Sequence, residues 1–202
     1  MDAKKFSDRQ IQIIETATKR IDKHGIQELT TKSLAADIGL SEAALYRHFK
    51  SKNDILLGML SYFIMGMKEK INKIIANDSK IPCEILRDVF NNQLNTFVQN
   101  PAIVSVIFSE GIFQFNNELS SKLSEMMDLM HNNITGIIKN GQEEGCFKKV
   151  LSPGVAATMI MGSMRMVVLK WKLSGNKSNL VKDGQTMLNG ILKMMERKQA
   201  LV

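Results

Sequence analysis

An all-α fold is what the 202-residue sequence predicts: a three-helix head followed by a larger helical body, about nine helices in all. Three observations lead there. Apolar residues recur at helical spacing along almost every segment. Few stretches are rich in β-forming residues. Pro occurs only 3 times, each time where a helix can begin.

The first helix is capped by Ser7, with Gln10 completing a capping box, and carries Ile11, Ile14, Ala17, Thr18 and Ile21 before Gly25 ends it. Thr30 or Thr31 can cap a short second helix with Leu34, Ala35 and Ile38, which Gly39 stops. Ser41 caps a third helix, expected over Glu42 to Phe49, with Leu45 and Phe49 facing inward and Glu42 in the first turn, where the helix dipole favours an acid. A longer helix follows from Lys52 to about Ala76. Pro82 opens the next, which carries Leu86, Val89, Phe90, Leu94 and Phe97. Asn100-Pro101 starts a short apolar helix with Gly111 near its end, and Asn116-Asn117 starts a long one closed by Gly145. Ser152-Pro153 is a cap followed by Pro at the first helical position, and that helix runs to about Ser174. The last helix is expected from Ser178. The domain boundary is placed after Lys52, giving a head over 1–52 and a body over 53–202.

The stretch GIQELTTKSLAADIGLSEAALYRHFKSK, from Gly25 to Lys52, is a helix, a tight turn and a second helix. Leu34, Ile38, Leu40, Leu45 and Phe49 fall where two short helices must pack on the first through Ile14 and Ala17, and the small Ala35 lets them approach. The outward positions of the third helix are then Glu42, Ala43, Ala44, Tyr46, Arg47 and His48. A helix entering the major groove presents its N-terminal residues to base edges. Glu42 can accept from a cytosine amino group, Arg47 can pair with guanine, and Ala43 or Ala44 can touch a thymine methyl. Plainer roles stand beside these: Glu42 as a first-turn acid, Tyr46 as a ring packed in the head, His48 and Lys52 as solvated surface groups.

Gly25, Thr30, Leu34, Ala35, Gly39, Leu40, Ser41, Leu45, Tyr46, His48, Phe49 and Lys52 stand at the spacing of the DNA-binding domain of the tetracycline-repressor (TetR) family, which this segment resembles. The resemblance implies phosphate contacts from Thr30, Tyr46, His48 and Lys52, DNA contact by Lys32, and a place for Ser41 in the DNA-binding set; such contacts set register rather than sequence. Ala44 departs from the pattern, since many members carry Thr or Ser there. The resemblance also implies a body that encloses an inducer cavity. Phe97, Phe108, Met126, Met130, Met164 and Trp171 are the residues expected to line a mainly apolar pocket, because Met adapts to irregular shapes. A two-fold homodimer through the last two helices is expected. Gly154, Ala156, Ala157, Gly162 and Ser163 offer a small-residue face on one helix, and Gly184, Met187, Leu188, Ile191 and Met195 a stripe on the other. A symmetric dimer suits a palindromic double-stranded operator.

Charge adds little to this. The net charge is +7, but residues 1–55 hold 10 Lys/Arg against 8 Asp/Glu, and the remainder 17 against 12. The head must therefore bind through placed donors rather than a broad basic field. The longest apolar run, Val150 to Leu173, is interrupted by Ser152, Pro153, Arg165, Lys170 and Lys172 and does not read as a membrane span. MDAKKFSDRQ lacks the apolar core of a signal peptide, and a cytoplasmic location is expected. Cys83 and Cys146, outside any CxxC, are expected as free thiols in a reducing compartment. No GxSxG, HExxH, P-loop or GxGxxG occurs in a suitable context, and His24, His48 and His131 do not cluster with the cysteines. No enzyme activity, cofactor or metal is expected. The function anticipated is a transcriptional regulator, a repressor released by a small apolar ligand. The alternative is an architectural DNA-binding protein without an inducer.

Overall fold

A computed structural model describes residues 6–77, 79–109 and 116–196. Among these residues the chain forms nine α-helices and a short 3-10 helix, with no strand beyond one isolated bridge. By packing, it divides into two compact units, residues 1–66 with 100–124, and residues 67–99 with 125–202. The division falls within two long helices, those over 52–75 and 117–143.

The first unit begins with α1 (Asp8–His24), whose capping box between Ser7 and Gln10 is formed and whose core face is Ile13, Ile14, Ala17 and Ile21. Ile13, rather than Ile11, is fully buried. Gly25 follows at φ 83° and ψ 162°, and the chain turns through a 3-10 helix, Ile26–Glu28, that lowers Leu29 into the core. α2 (Thr31–Ile38) has Thr30 as its cap, paired reciprocally with Ser33. Gly39 is left-handed, φ 73° and ψ 33°, and its N–H and that of Leu40 return to the carbonyls of α2. Only a residue without a Cβ turns the chain there at no steric cost. α3 (Glu42–Tyr46) is capped by Ser41, which accepts from the Ala44 N–H. It is shorter than expected: Arg47 and His48 form a turn, although the Phe49 N–H still reaches the Leu45 carbonyl at 3.1 Å.

α4 (Lys52–Ile75) carries Ile55, Leu56, Met59 and Leu60 into this core. Gly58 faces the Phe49 ring so closely that a Cβ would lie 2.7 Å from it, and 3.5 Å from Ile14. α6 (Pro101–Ile107), reached through α5 (Pro82–Gln99), packs on α1 and on the 3-10 turn. The core of the first unit is therefore larger than a three-helix head, since Ala102, Ile103, Val104, Val106 and Ile107 are all buried. The helix end expected at Gly111 lies outside the described residues.

The second unit is built from the end of α4, from α5, from most of α7 (Asn117–Glu143), and from α8 (Pro153–Leu173) and α9 (Leu180–Met195). Asn179, not Ser178, caps α9 by accepting from the Lys182 N–H. α9 packs on α5 and α8, and Gly184 lets Leu94 of α5 sit where a Cβ would overlap it. Cys83 and Cys146 are joined in a disulfide with their Cα atoms 6.5 Å apart. The expectation of two free thiols is thereby corrected. The fold brings the first turn of α5 beside the turn after α7, across a separation of 63 residues that the sequence does not signal. Phe147, fully buried, bridges to Glu196; the Lys148 N–H donates to the Met195 carbonyl at 2.7 Å, and Arg87 donates to Glu196 at 2.8 Å.

Candidate nucleic-acid interface

The candidate interface lies where α2 and α3 meet, entirely within the first unit. Leu34 and Ala35 of α2 and Leu45 of α3 point into the core, so the turn between the helices holds their opposite faces outward. Glu42, Ala43, Tyr46 and Arg47 are exposed there, and Ala44 and His48 are half-buried. This is the set read from the sequence as outward-facing. Tyr46 is 45% exposed, so its ring does not fill the core.

The hydroxyls divide their labour. Thr30 and Ser41 are helix caps whose side-chain oxygens accept from the N–H groups of Ser33 and Ala44 at 3.0 and 3.1 Å. Thr31, the first residue of α2, lies between the two helices instead. Its Oγ1 is 3.1 Å from a carboxylate oxygen of Glu42 and 3.2 Å from the hydroxyl of Tyr46. In the sequence Thr31 stands only as a possible cap. Its one local signal is its position beside the true cap, and its partners are 11 and 15 residues away.

Two basic residues are tied into the fold. The Lys52 ammonium donates to the Ile26 carbonyl at 2.9 Å and so joins the start of α4 to the 3-10 turn. Burial holds its pKa below the usual lysine value, and the nearby Glu28 charge acts in the opposite direction. Arg20 of α1 donates to the Glu28 carbonyl at 3.0 Å and to Asp37 at 2.7 Å, bracing the same turn against α2. Gln10 reaches the His48 carbonyl at 3.5 Å. Lys32 and Arg47 are exposed.

The residues expected to line a pocket do not all fall in one unit. Phe97, Met126, Met130, Met164 and Trp171 are buried in the second unit, whereas Phe108 belongs to the first and is half-buried. Part of the apolar stripes of the last two helices packs within the chain. Ala156 and Ala157 of α8 and Gly184, Leu188, Ile191 and Met195 of α9 are buried within the chain. The large apolar residues that α8 leaves exposed are Val155, Met159, Met166 and Leu173, with Gly162 between them. At about 100° per residue these lie on one stripe. Among the described residues no helix is long and apolar enough to cross a membrane, and no group of three His, Cys, Asp or Glu could hold a metal ion.

Two family models match the chain. Residues 13–59 match bacterial regulatory proteins of the tetR family, and residues 58–194 match the C-terminal region of YsiA-like protein. The chain is 27% identical over 189 residues to the fatty acid metabolism regulator protein of Bacillus subtilis (strain 168), covering 92% of each. It is 26% identical over 140 residues to the nucleoid occlusion factor SlmA of Photobacterium profundum, covering 69% of this chain and 71% of that one. The crystal structure of the transcriptional regulator FadR from Bacillus subtilis in complex with stearoyl-CoA is similar with a TM-score of 0.71 at 25% identity, covering 91% of this chain and 96% of that one.

Proposed function

This chain belongs to the tetR family of bacterial regulatory proteins, and we propose that it represses transcription from a palindromic operator until an acyl-CoA-type ligand occupies its C-terminal region. That it is a DNA-binding transcription regulator follows from the family. The observation that carries the mechanism is the outward face of α3, held clear of the core by capped helices and a left-handed Gly39. Glu42, Ala43, Ala44 and Arg47 read base edges, while Thr30, Lys32, Ser41, Tyr46, His48 and Lys52 set the register on the phosphates.

Lys52 serves two ends. An ammonium has three donors, so the bond to Ile26 leaves others for a phosphate oxygen. The operator is bound by a homodimer formed through α8 and α9. The exposed stripe of Val155, Met159, Met166 and Leu173 on α8, with exposed Met194 on α9, supplies apolar area for a partner. The protein works in the cytoplasm and is not an enzyme; a regulator acts where the DNA is.

The ligand is mainly apolar, with Phe97, Met126, Met130, Met164 and Trp171 among the groups that receive it. The similarity to a regulator crystallised with stearoyl-CoA supports this class. Ligand releases the operator by binding better to a conformer whose DNA affinity is low. The test is fluorescence anisotropy on an operator selected from random DNA, with stearoyl-CoA, stearate or coenzyme A added. Stearoyl-CoA should weaken DNA binding by about tenfold or more, and coenzyme A alone should not. Unchanged affinity with every addition would remove the ligand and favour the second reading, an architectural DNA-binding protein without an inducer. Similarity to a nucleoid occlusion factor is the observation on that side.

A further inference from the structure

Thr31 touches both Glu42 and Tyr46, yet it caps no helix and lies outside the core. Its hydroxyl carries one hydrogen. A carboxylate can only accept, so that hydrogen goes to Glu42, and the Thr31 oxygen is left to accept from the Tyr46 hydroxyl. The result is a directed chain, Tyr46 to Thr31 to Glu42, that joins the last residue of α3 to its first through α2. Each link polarises the next. Glu42 is thereby held in one orientation on an exposed surface, where a free glutamate would sample several rotamers.

We propose that Thr31 is a positioning residue for sequence recognition: it orients the Glu42 carboxylate toward the base it reads, and so sets preference at a base pair it does not itself touch. The proposal rests on Glu42 facing the major groove, as argued above. A carboxylate that accepts from cytosine N4 uses the oxygen lone pairs not engaged by Thr31. The Tyr46 hydroxyl can meanwhile turn its hydrogen to a phosphate without releasing Glu42, because the Thr31–Glu42 bond does not depend on it. Orientation held before binding removes part of the ordering cost of the contact. Loss of the Thr31 hydroxyl would therefore act on base preference more than on overall affinity.

The experiment compares full-length wild type with Thr31→Val, Thr31→Ser, Glu42→Ala and the Thr31→Val/Glu42→Ala double variant. Binding is measured to the selected operator and to operators changed at each base pair in turn. Valine keeps the β-branched shape and removes the hydroxyl; serine keeps the hydroxyl. Glu42→Ala should relax preference at one symmetric base pair. Thr31→Val should relax the same base pair by about five- to tenfold, Thr31→Ser should restore it, and the double variant should show no further relaxation. A uniform loss across all operators in Thr31→Val, with preference intact, would make Thr31 a phosphate contact and overturn the proposal. No effect of Thr31→Val beside a clear effect of Glu42→Ala would overturn it while leaving Glu42 as a reader. Equal binding of all operators by wild type would overturn the base-reading role itself.

Discussion

The helix-turn-helix segment and the second unit are both helical, but they are held together in different ways. From Ser7 to Phe49 nearly every boundary is set by a partner within five residues: Ser7 with Gln10, Thr30 with Ser33, Ser41 with Ala44, Gly39 with Ala35 and Ala36. In the second unit the decisive ties cross the chain. Cys83 meets Cys146, Phe147 meets Glu196, Arg87 meets Glu196, and Leu94 settles over Gly184. A reading surface needs side chains held in a fixed pattern, which short-range caps supply with little loss of chain entropy. A body that packs long helices must fasten their ends to one another.

The disulfide gives the largest way to test this contrast. Closing a loop across 63 residues removes entropy from the unfolded chain, and reduction, or Cys83→Ser with Cys146→Ser, should lower stability by about 2–4 kcal/mol. Thermal unfolding with and without reductant measures it; DNA preference should be unaltered while the protein remains folded. An unchanged melting temperature would mean that the second unit does not depend on that tie.

Gly184→Ala comes next. Its Cβ would overlap Leu94, and overpacking of this kind should cost about 1–3 kcal/mol in denaturant unfolding. Full stability in this variant would show that the Leu94 side chain can yield to the added methyl. In the head, Gly39→Ala places a Cβ in the left-handed region and should cost about 1–2 kcal/mol. It should also weaken DNA binding, because the angle between α2 and α3 depends on that turn. Arg20→Gln is the smallest: its ion pair with Asp37 is partly exposed, so the loss should stay below about 1 kcal/mol. A loss far above that would mean the 3-10 turn is held by Arg20 rather than by its own packing.

The same contrast explains what was legible in advance. The caps Ser7 and Ser41, the turn at Gly39 and the exposure of Glu42, Ala43, Tyr46 and Arg47 follow from residues close in sequence, and each is found in the structure. The choice between Thr30 and Thr31 as cap was open, because both hydroxyls lie at the right distance along the chain. Only the position of α3 draws Thr31 toward Glu42 and Tyr46 and leaves the cap to Thr30. In the body, Leu188 and Ile191 form an apolar stripe that periodicity reveals, but periodicity does not say whether the covering surface belongs to the same chain. Here it does, through α5 and α8, and the exposed apolar stripe is on the other face of α8.

Local chemistry in the sequence was enough to determine the all-α class, most helix starts and stops, and which residues of the Glu42–Arg47 stretch face outward. Helix caps, left-handed glycines and 3.6-residue periodicity act over a few residues, so the chain carries them in plain order. The tertiary structure alone decided the Cys83–Cys146 pairing, the addition of α6 to the core around α1, the internal burial of the α9 stripe and the hydrogen-bond chain through Thr31. Each is a contact between residues far apart in sequence, and its existence depends on where every intervening helix has come to rest.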